Sequence, residues 1–310
     1  MNVRELAQEL ALGLRAQVLP ALGSHAARFH AGGAHGGDVT FAMDAAAEAF
    51  MEDFLAARAP EVALFSEDRG LVGAPDAEHV LVVDPVDGTR PALAGFESAC
   101  VSVAVAALRD GQPRMGDVEA GVIVEIKSGA RFVAARGEGV RADVPVALSA
   151  NEDLERMFWV YGLRGRPARD MAEVLGELLD GSSVGGGTFD LGSATYDMTR
   201  VLTGQLDAYV EPGPRMIEEV PGMLEEFRRV GGGAVLNNAP YDVAAAALCL
   251  TEGGAIVTDA AGRPLDERPL LGSGPEFQMS MLVAANARLH ERLVAEIDRG
   301  IARLRARRGR

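Results

Sequence analysis

The segment Leu81-Val82-Val83-Asp84-Pro85-Val86-Asp87-Gly88-Thr89 constrains this 310-residue chain more than any other. Its uninterrupted apolar start reads as a buried strand. The run ends in two aspartates three positions apart, with a proline between them and Gly-Thr after them. Like charges that close repel, and neither can be buried without positive charge between them. A hard divalent cation such as Mg²⁺ meets that need, because it takes carboxylate oxygens, backbone carbonyls and water. Gly88 and Thr89 add backbone amides and a hydroxyl, the groups that hold a phosphate. The pattern points to metal-assisted phosphate chemistry at the exit of a buried strand. Simple turn formation by Asp, Pro and Gly is the competing reading, but the hydrophobic run before them predicts a buried exit.

The rest of the composition sets bounds on function. A net charge of −15 argues against a nucleic-acid binder, which needs a basic face. It does not exclude anionic substrates, since bound metals invert the local field. No apolar stretch is long and charge-free enough to span a bilayer. The N-terminus carries Arg4, Glu5 and Glu9 among apolar residues, so it reads as an amphipathic helix and not as a signal peptide. These points imply a cytoplasmic location and no membrane partner. Cys100 and Cys249, the two cysteines, sit in apolar runs and read as small core residues. Arg303 to Arg310 is rich in arginine and reads as a solvated, fraying helix end.

Helices and strands alternate along the whole chain. Helical periodicity covers residues 2–30, followed by a glycine loop over 31–37 and a helix from Phe41 to Arg58. Strands are expected at 63–65, 80–83, 99–108, 120–126 and 129–135, with a turn at Asp110-Gly111. A first half, 1–148, ends there. The second half, 149–310, adds strands at 158–160, 208–210, 255–258 and 280–284. Its helices are expected at 169–179, 193–202, 222–230, 243–252 and from 288 onward. Mixed helices with several hairpins argue for layers of helices and sheets, not a simple dinucleotide-binding domain.

Three more acids can join Asp84 and Asp87. Glu67 ends a strand in Phe65-Ser66-Glu67-Asp68, where α/β folds collect ligands. Asp242 opens an alanine-rich helix, and Asp44 lies early in another. Each has a plainer reading: a helix cap for Asp242, a solvated loop acid for Glu67, a first-turn acid for Asp44. The combination is more specific than its members. Asp84-Pro85-Val86-Asp87-Gly88-Thr89 resembles the first signature of the inositol monophosphatase family. Tyr241-Asp242-Val243-Ala244-Ala245-Ala246, followed by Glu252-Gly253-Gly254-Ala255-Ile256-Val257-Thr258-Asp259, resembles the second, where Trp is usual in place of Tyr241. Ser66-Glu67-Asp68, Gly192-Ser193-Ala194 and Asp207-Ala208-Tyr209-Val210-Glu211 also fit, in the same order.

The resemblance implies an α/β fold of five layers, α/β/α/β/α, acting as one catalytic unit. It implies a Mg²⁺-dependent phosphomonoesterase with two to three ions per site and a homodimeric assembly. Carried onto this sequence, the metal ligands are Glu67, Asp84, the Val86 carbonyl, Asp87 and Asp242. The catalytic set is Asp44, Glu67 and Thr89, with Thr89 and Asp44 orienting and helping to deprotonate a metal-bound water. Gly88 and Thr89 hold phosphate, while Gly192, Ser193 and Glu211 line the substrate pocket. The implied substrate is a small phosphorylated polyol or sugar, with inositol 1-phosphate as default. Fructose 1,6-bisphosphate, histidinol phosphate and 3′-phosphoadenosine 5′-phosphate belong to the same mechanistic class. A non-catalytic member kept for regulation is the alternative of a different class.

Three departures from the family pattern bear on specificity. Arg90-Pro91-Ala92-Leu93 replaces the usual polar or aromatic pair and Phe after Thr89, so Arg90 can either grip a second anionic group or face solvent. Residues 213–240 are long for a minimal member and read as an insertion beside the pocket: a lid, an oligomer contact or a surface excursion. The loop before the Asp44 helix carries glycines and His35 where lysine is common. His25, His30 and His35 cluster there, and a mobile glycine loop closing over the site is a better reading than metal binding by them.

Overall fold

The computed structural model describes residues 2–24, 30–33, 39–74, 76–108 and 112–309. Helix α1 (Val3–Val18) buries Leu6, Leu10, Leu14 and Val18 along one stripe. It does not run to residue 30 as expected. Pro20, inside a tight turn at Leu19–Ala21, lacks the backbone donor that would continue it. The glycine loop is also shorter than expected, because β1 (His30–Gly33) pairs antiparallel with β2 (Val39–Phe41). His25 and His35 lie outside the described residues, as does the turn expected at Asp110-Gly111, and only the backbone of His30 is described. β2 leads directly into α2 (Ala42–Arg58).

The first sheet is built from β3 (Ala63–Ser66), β4 (Gly70–Val72), β5 (His79–Asp87), β6 (Cys100–Ala107), β7 (Val118–Glu125), β8 (Arg131–Ala135) and β9 (Gly139–Ala142). Their spatial order is β4-β3-β5-β6-β7-β8-β9. β3 and β5 are parallel, and the other neighbours are antiparallel. The short helix α3 (Thr89–Ala94) links β5 to β6. A second sheet combines β10 (Phe158–Tyr161), β11 (Gly187–Phe189), β12 (Ala208–Glu211), β13 (Ile256–Thr258) and β14 (Met281–Ala284), in the order β11-β10-β12-β14-β13. Its helices are α4 (Ala168–Gly181), α5 (Ala194–Leu202), α6 (Gly213–Glu219), α7 (Met223–Val230), α8 (Pro240–Glu252) and α9 (Ala287–Arg308). Besides β1 and β2, the strands missed from sequence are β4, β9 and β11, three or four residues long with glycine at their first position. They carry too little alternating apolar pattern to announce themselves.

Side-chain alternation sorts these elements into five layers. In β5, Leu81 and Val83 face a core shared with α1 and α2, while Val80 and Val82 face α5 and α8. In the second sheet, Val160, Tyr209 and Val283 meet that same middle helix layer. Trp159, Val210 and Leu282 face the opposite way, onto α4, α6, α7 and α9. Covering both faces explains why β5 is an unbroken apolar run. The layers are therefore α1 and α2, the first sheet, α5 and α8, the second sheet, and the outer helices, as the resemblance implied.

The middle layer packs unusually close to the first sheet. A Cβ on Gly121 of β7 would stand 2.7 Å from the Ala245 carbonyl oxygen of α8. Glycine on the strand and alanines on the helix permit that approach, which places the first turn of α8 beside the end of β5.

The segment 213–240 is not a surface excursion. Met216 of α6 and Met223 and Phe227 of α7 are fully buried against the second sheet's outer face. The arginine-rich end of α9 is not frayed either. Arg308 reaches Asp170 at 3.0 Å and Arg305 reaches Glu219 at 2.8 Å, so the helix end is tied to α4 and α6. Both cysteines are free and buried, as expected. Among the described residues no helix is long and apolar enough to cross a membrane. Phe227→Ala is expected to lower unfolding stability by about 3–5 kcal/mol, read by urea denaturation. A change below about 1 kcal/mol would mean that α7 is a detachable lid and not part of the core.

Candidate active site

Three carboxylates meet where β5 ends. Asp84 and Asp87 come from the strand itself, and Asp242 comes from the first turn of α8. One oxygen of each lies within 4.8 Å of the others. The ladder between β5 and β6 skips from Asp84 to Asp87, so the chain bulges there. A bulge re-aims side chains at a strand end, and it is what lets two aspartates three positions apart address one point. The Val86 amide donates to Asp84 Oδ1 at 3.0 Å and fixes the bulge from within.

Asp87 is held from the other half of the chain. Ser193 Oγ donates to Asp87 Oδ2 at 2.8 Å, and the Thr195 amide donates to the same oxygen. Ser193 also caps α5 by accepting from the Tyr196 amide at 3.1 Å. Thr195 Oγ1 donates to the Asp242 backbone carbonyl at 2.7 Å, which ties α5 to α8. Asp242 accepts from the Ala239 amide at 2.6 Å, so it is a helix cap as well as a member of the cluster. Asp44 has the same double use. One oxygen accepts from the Phe41 amide at 2.9 Å, and the other accepts from Thr89 Oγ1 at 3.3 Å.

The electrostatics follow from this crowding. Burial, then Asp87, Asp242 and Glu67, raise the Asp84 carboxyl well above the aspartate range. Burial raises Asp87 against the pull of its Ser193 and Thr195 donors. Burial and Asp87 push Asp242 up to about 7, opposed by the Ala239 amide and Asp84. Glu67 lies outside the tight cluster of three, half-buried just past β3, and its charge acts on Asp84. The donor set is all oxygen and its negative charge is fixed by amides and hydroxyls. A hard divalent cation fits such a set.

Gly88 connects the cluster to α3 in the left-handed region, at φ +89°. A Cβ there would stand 2.5 Å from the Ser98 carbonyl oxygen, so only glycine fits. Thr89 Oγ1 also lies 3.1 Å from the Val86 carbonyl oxygen, so its single proton has two acceptors to choose between, that carbonyl and Asp44. Arg90 packs over the Phe41 ring at 5.6 Å and lines a broad cleft of about 930 Å³ together with Arg164, Asp190 and Gly192. Glu211 differs from expectation. It is fully buried, accepts from Arg166, and also accepts from the Gly213 amide at 2.8 Å. Its charge is spent on Arg166 beneath the pocket. Ser193 turns its hydroxyl to Asp87 and, with Gly192, lines the small cavity beside the carboxylates.

A smaller cavity of about 70 Å³ adjoins the carboxylates, lined among others by Asp87, Asp242, Arg164, Asp197, Asn237 and Asn238. The sequence reading missed the last four. Arg164 and Asn237 lie in stretches without periodicity, and the only signal for Asp197 was its place one helical turn after Ser193.

The profile of the inositol monophosphatase family matches residues 2–302. The chain belongs to the inositol monophosphatase family. It is similar to an inositol-1-monophosphatase of Synechocystis, 26% identical over 258 residues, covering 83% of this chain and 76% of the relative. A fructose-1,6-bisphosphatase/inositol-1-monophosphatase of Methanothermobacter thermautotrophicus is 26% identical over 225 residues, 71% of this chain and 68% of that protein. The crystal structure of the extragenic suppressor protein suhB from Bartonella henselae shares the fold, with a TM-score of 0.71 at 21% identity, covering 97% of this chain and 100% of that one. The family is one of phosphatases, and the acidic cluster of this member is suited to the magnesium such enzymes use.

The raised carboxyls make a pH prediction. Between the ordinary aspartate value of 3.8 and about 7, the folded, metal-free protein keeps a proton on Asp242 that the unfolded chain has released. Metal-free stability therefore falls as pH rises through that window. In EDTA the melting temperature is expected to be higher at pH 5 than at pH 7.5, with a shallower slope in Asp242→Asn. Mg²⁺ is expected to raise it more at pH 7.5 than at pH 5. Scanning calorimetry checks this, and identical slopes in wild type and variant would contradict it.

Proposed function

We propose that this protein is a Mg²⁺-dependent phosphomonoesterase acting on a small polyol or sugar phosphate, with inositol 1-phosphate as the first candidate. The observation that carries the reading is the convergence of Asp84, Asp87 and Asp242 beside the Thr89–Asp44 pair. Glu67, Asp84, the Val86 carbonyl, Asp87 and Asp242 would hold two to three ions. Bound there, Mg²⁺ would neutralise charge on the phosphoryl group and acidify water at the site.

The chain's own groups have distinct tasks. The amides of Gly88 and Thr89 hold phosphoryl oxygens. Thr89 Oγ1 accepts a hydrogen bond from the attacking water while its own proton rests toward Asp44 Oδ1. The water proton then passes through Thr89 Oγ1 to Asp44, a relay in which each atom needs only small motion. Attack is in line on phosphorus, so positioning supplies much of the rate. The alcohol part leaves toward the cavity beside Asn237. Both halves, 1–148 and 149–310, are needed for one catalytic unit, since the second supplies Asp242 and the donors to Asp87. The reading extends to a homodimer in the cytoplasm, checked by light scattering of the purified protein.

One observation favours a second reading, fructose 1,6-bisphosphate. Arg90 and Arg164 line the cleft beside the site, where a second phosphate would meet positive charge. The Methanothermobacter relative is named for both activities, fructose-1,6-bisphosphatase and inositol-1-monophosphatase. Phosphate release with Mg²⁺ over a panel containing both substrates decides between them. Asp84→Asn is expected to lose at least about 1,000-fold in rate, and near-normal activity would sink the proposal. Thr89→Ala is expected to lower kcat by about 10²–10³-fold, with KM little changed. A pure KM effect would remove Thr89 from the relay.

A further inference from the structure

We propose that Asn237 is a specificity-determining residue that reads a hydroxyl on the carbon next to the phosphate ester. This rests on the phosphatase reading and adds to it the group that recognises the alcohol. Asn237 is 7% exposed, and among the described residues neither its Nδ2 nor its Oδ1 has a partner. Asp197, 2% exposed, has an unmet Oδ1 in the same wall. Both residues line the cavity that Asp87 and Asp242 border. A buried unmet group costs stability, so such groups in a native fold mark a place that something fills.

The chemistry of the wall selects the occupant. A hydroxyl donates and accepts, so it can meet Asn237 Oδ1 or Asp197 Oδ1 while accepting from Asn237 Nδ2. A second anionic group would leave both oxygens unmet and would lie against carboxylates. Of the two arginines that line the cavity, Arg166 gives Nη2 to Glu211 and Nη1 to the Arg164 carbonyl, so only its Nε, among the described residues, is left for an occupant. Glu211, the acid that the resemblance placed against substrate, is withdrawn for the same reason. The reading of the alcohol therefore falls to Asn237, on the stretch between α7 and α8.

The position of Asn237 is also built. A Cβ on Gly213 would stand 2.4 Å from Asn237 Oδ1, so glycine there makes room for the amide. Next to it, Asn238 Nδ2 donates to the buried Tyr209 hydroxyl at 2.6 Å, which anchors the turn.

The test compares inositol 1-phosphate with cyclohexyl phosphate, which lacks the neighbouring hydroxyls. Two readouts are used: Mg²⁺-dependent turnover, and calorimetric binding with Ca²⁺ in place of Mg²⁺. Wild type is expected to prefer the hydroxylated ester in both. Asn237→Ala is expected to shrink the ratio of kcat/KM values by about 10- to 100-fold, and the binding ratio with it. Asn237→Ser serves where the alanine variant folds poorly. A merely structural role would lower both esters together and leave the ratio standing, which would overturn the proposal. A wild type that does not discriminate would overturn it too, and would mean that water fills the cavity. Binding that discriminates without turnover of either ester would sink the phosphatase reading and leave the role of Asn237 intact.

Discussion

The two donors to Asp87 are the interaction on which the rest depends. Three carboxylates brought together inside a protein repel one another and lose hydration at the same time. Nothing about β5 alone would hold them in that state. The Ser193 hydroxyl and the Thr195 amide arrive from the second half of the chain and fix one member. Thr195 then reaches the backbone of Asp242 and fixes the helix that carries another. The two sheets and the helix layer between them are the frame for this clamp. Close packing of α8 on Gly121 sets how near the third acid can come.

The fold uses one local device twice. Asp44 and Asp242 each sit in the first turn of a helix and give one oxygen to the amide that precedes it. A helix start has amides without intrahelical partners, so this bond is locally favourable. It also locks the carboxylate's orientation and leaves its second oxygen for the site. A capping acid and a functional acid are thus one residue in two roles, and the two readings of such a position are not rivals.

That double use explains how much of the molecule was legible in the sequence. The layered fold, the buried β5 and the acids Asp44, Asp84, Asp87 and Asp242 carry local signals: apolar runs, helix starts and ordered signatures. Glu67 carried a strand-end signal, and the structure places it near Asp84 but outside the close group. What was not legible depends on charges meeting across the fold. Glu211 looked like a pocket acid because nothing local says that Arg166, 45 positions away, will neutralise it. Residues 213–240 looked like an excursion because their apolar positions, Met216, Met223 and Phe227, are sparse and spread over two short helices. Asn237 carried no signal, since an amide in an irregular stretch declares nothing until its surroundings leave it unmet.

The stretch between β12 and α8 has a consequence for how this scaffold can change. It is hung from two pieces of framework and contributes Leu236, Asn237 and Asn238 to the wall of the small cavity, while the carboxylate spacing is set by β5, α5 and α8. Its length and content can be rewritten without moving an acid, provided the apolar face of α6 and α7 and the Ala239 amide that orients Asp242 are kept. On the proposed function, rate and selectivity fall to separate parts of the chain. A library confined to residues 231–237 would reshape the wall of the small cavity and leave the Asp242 cap and the Asn238 anchor in place.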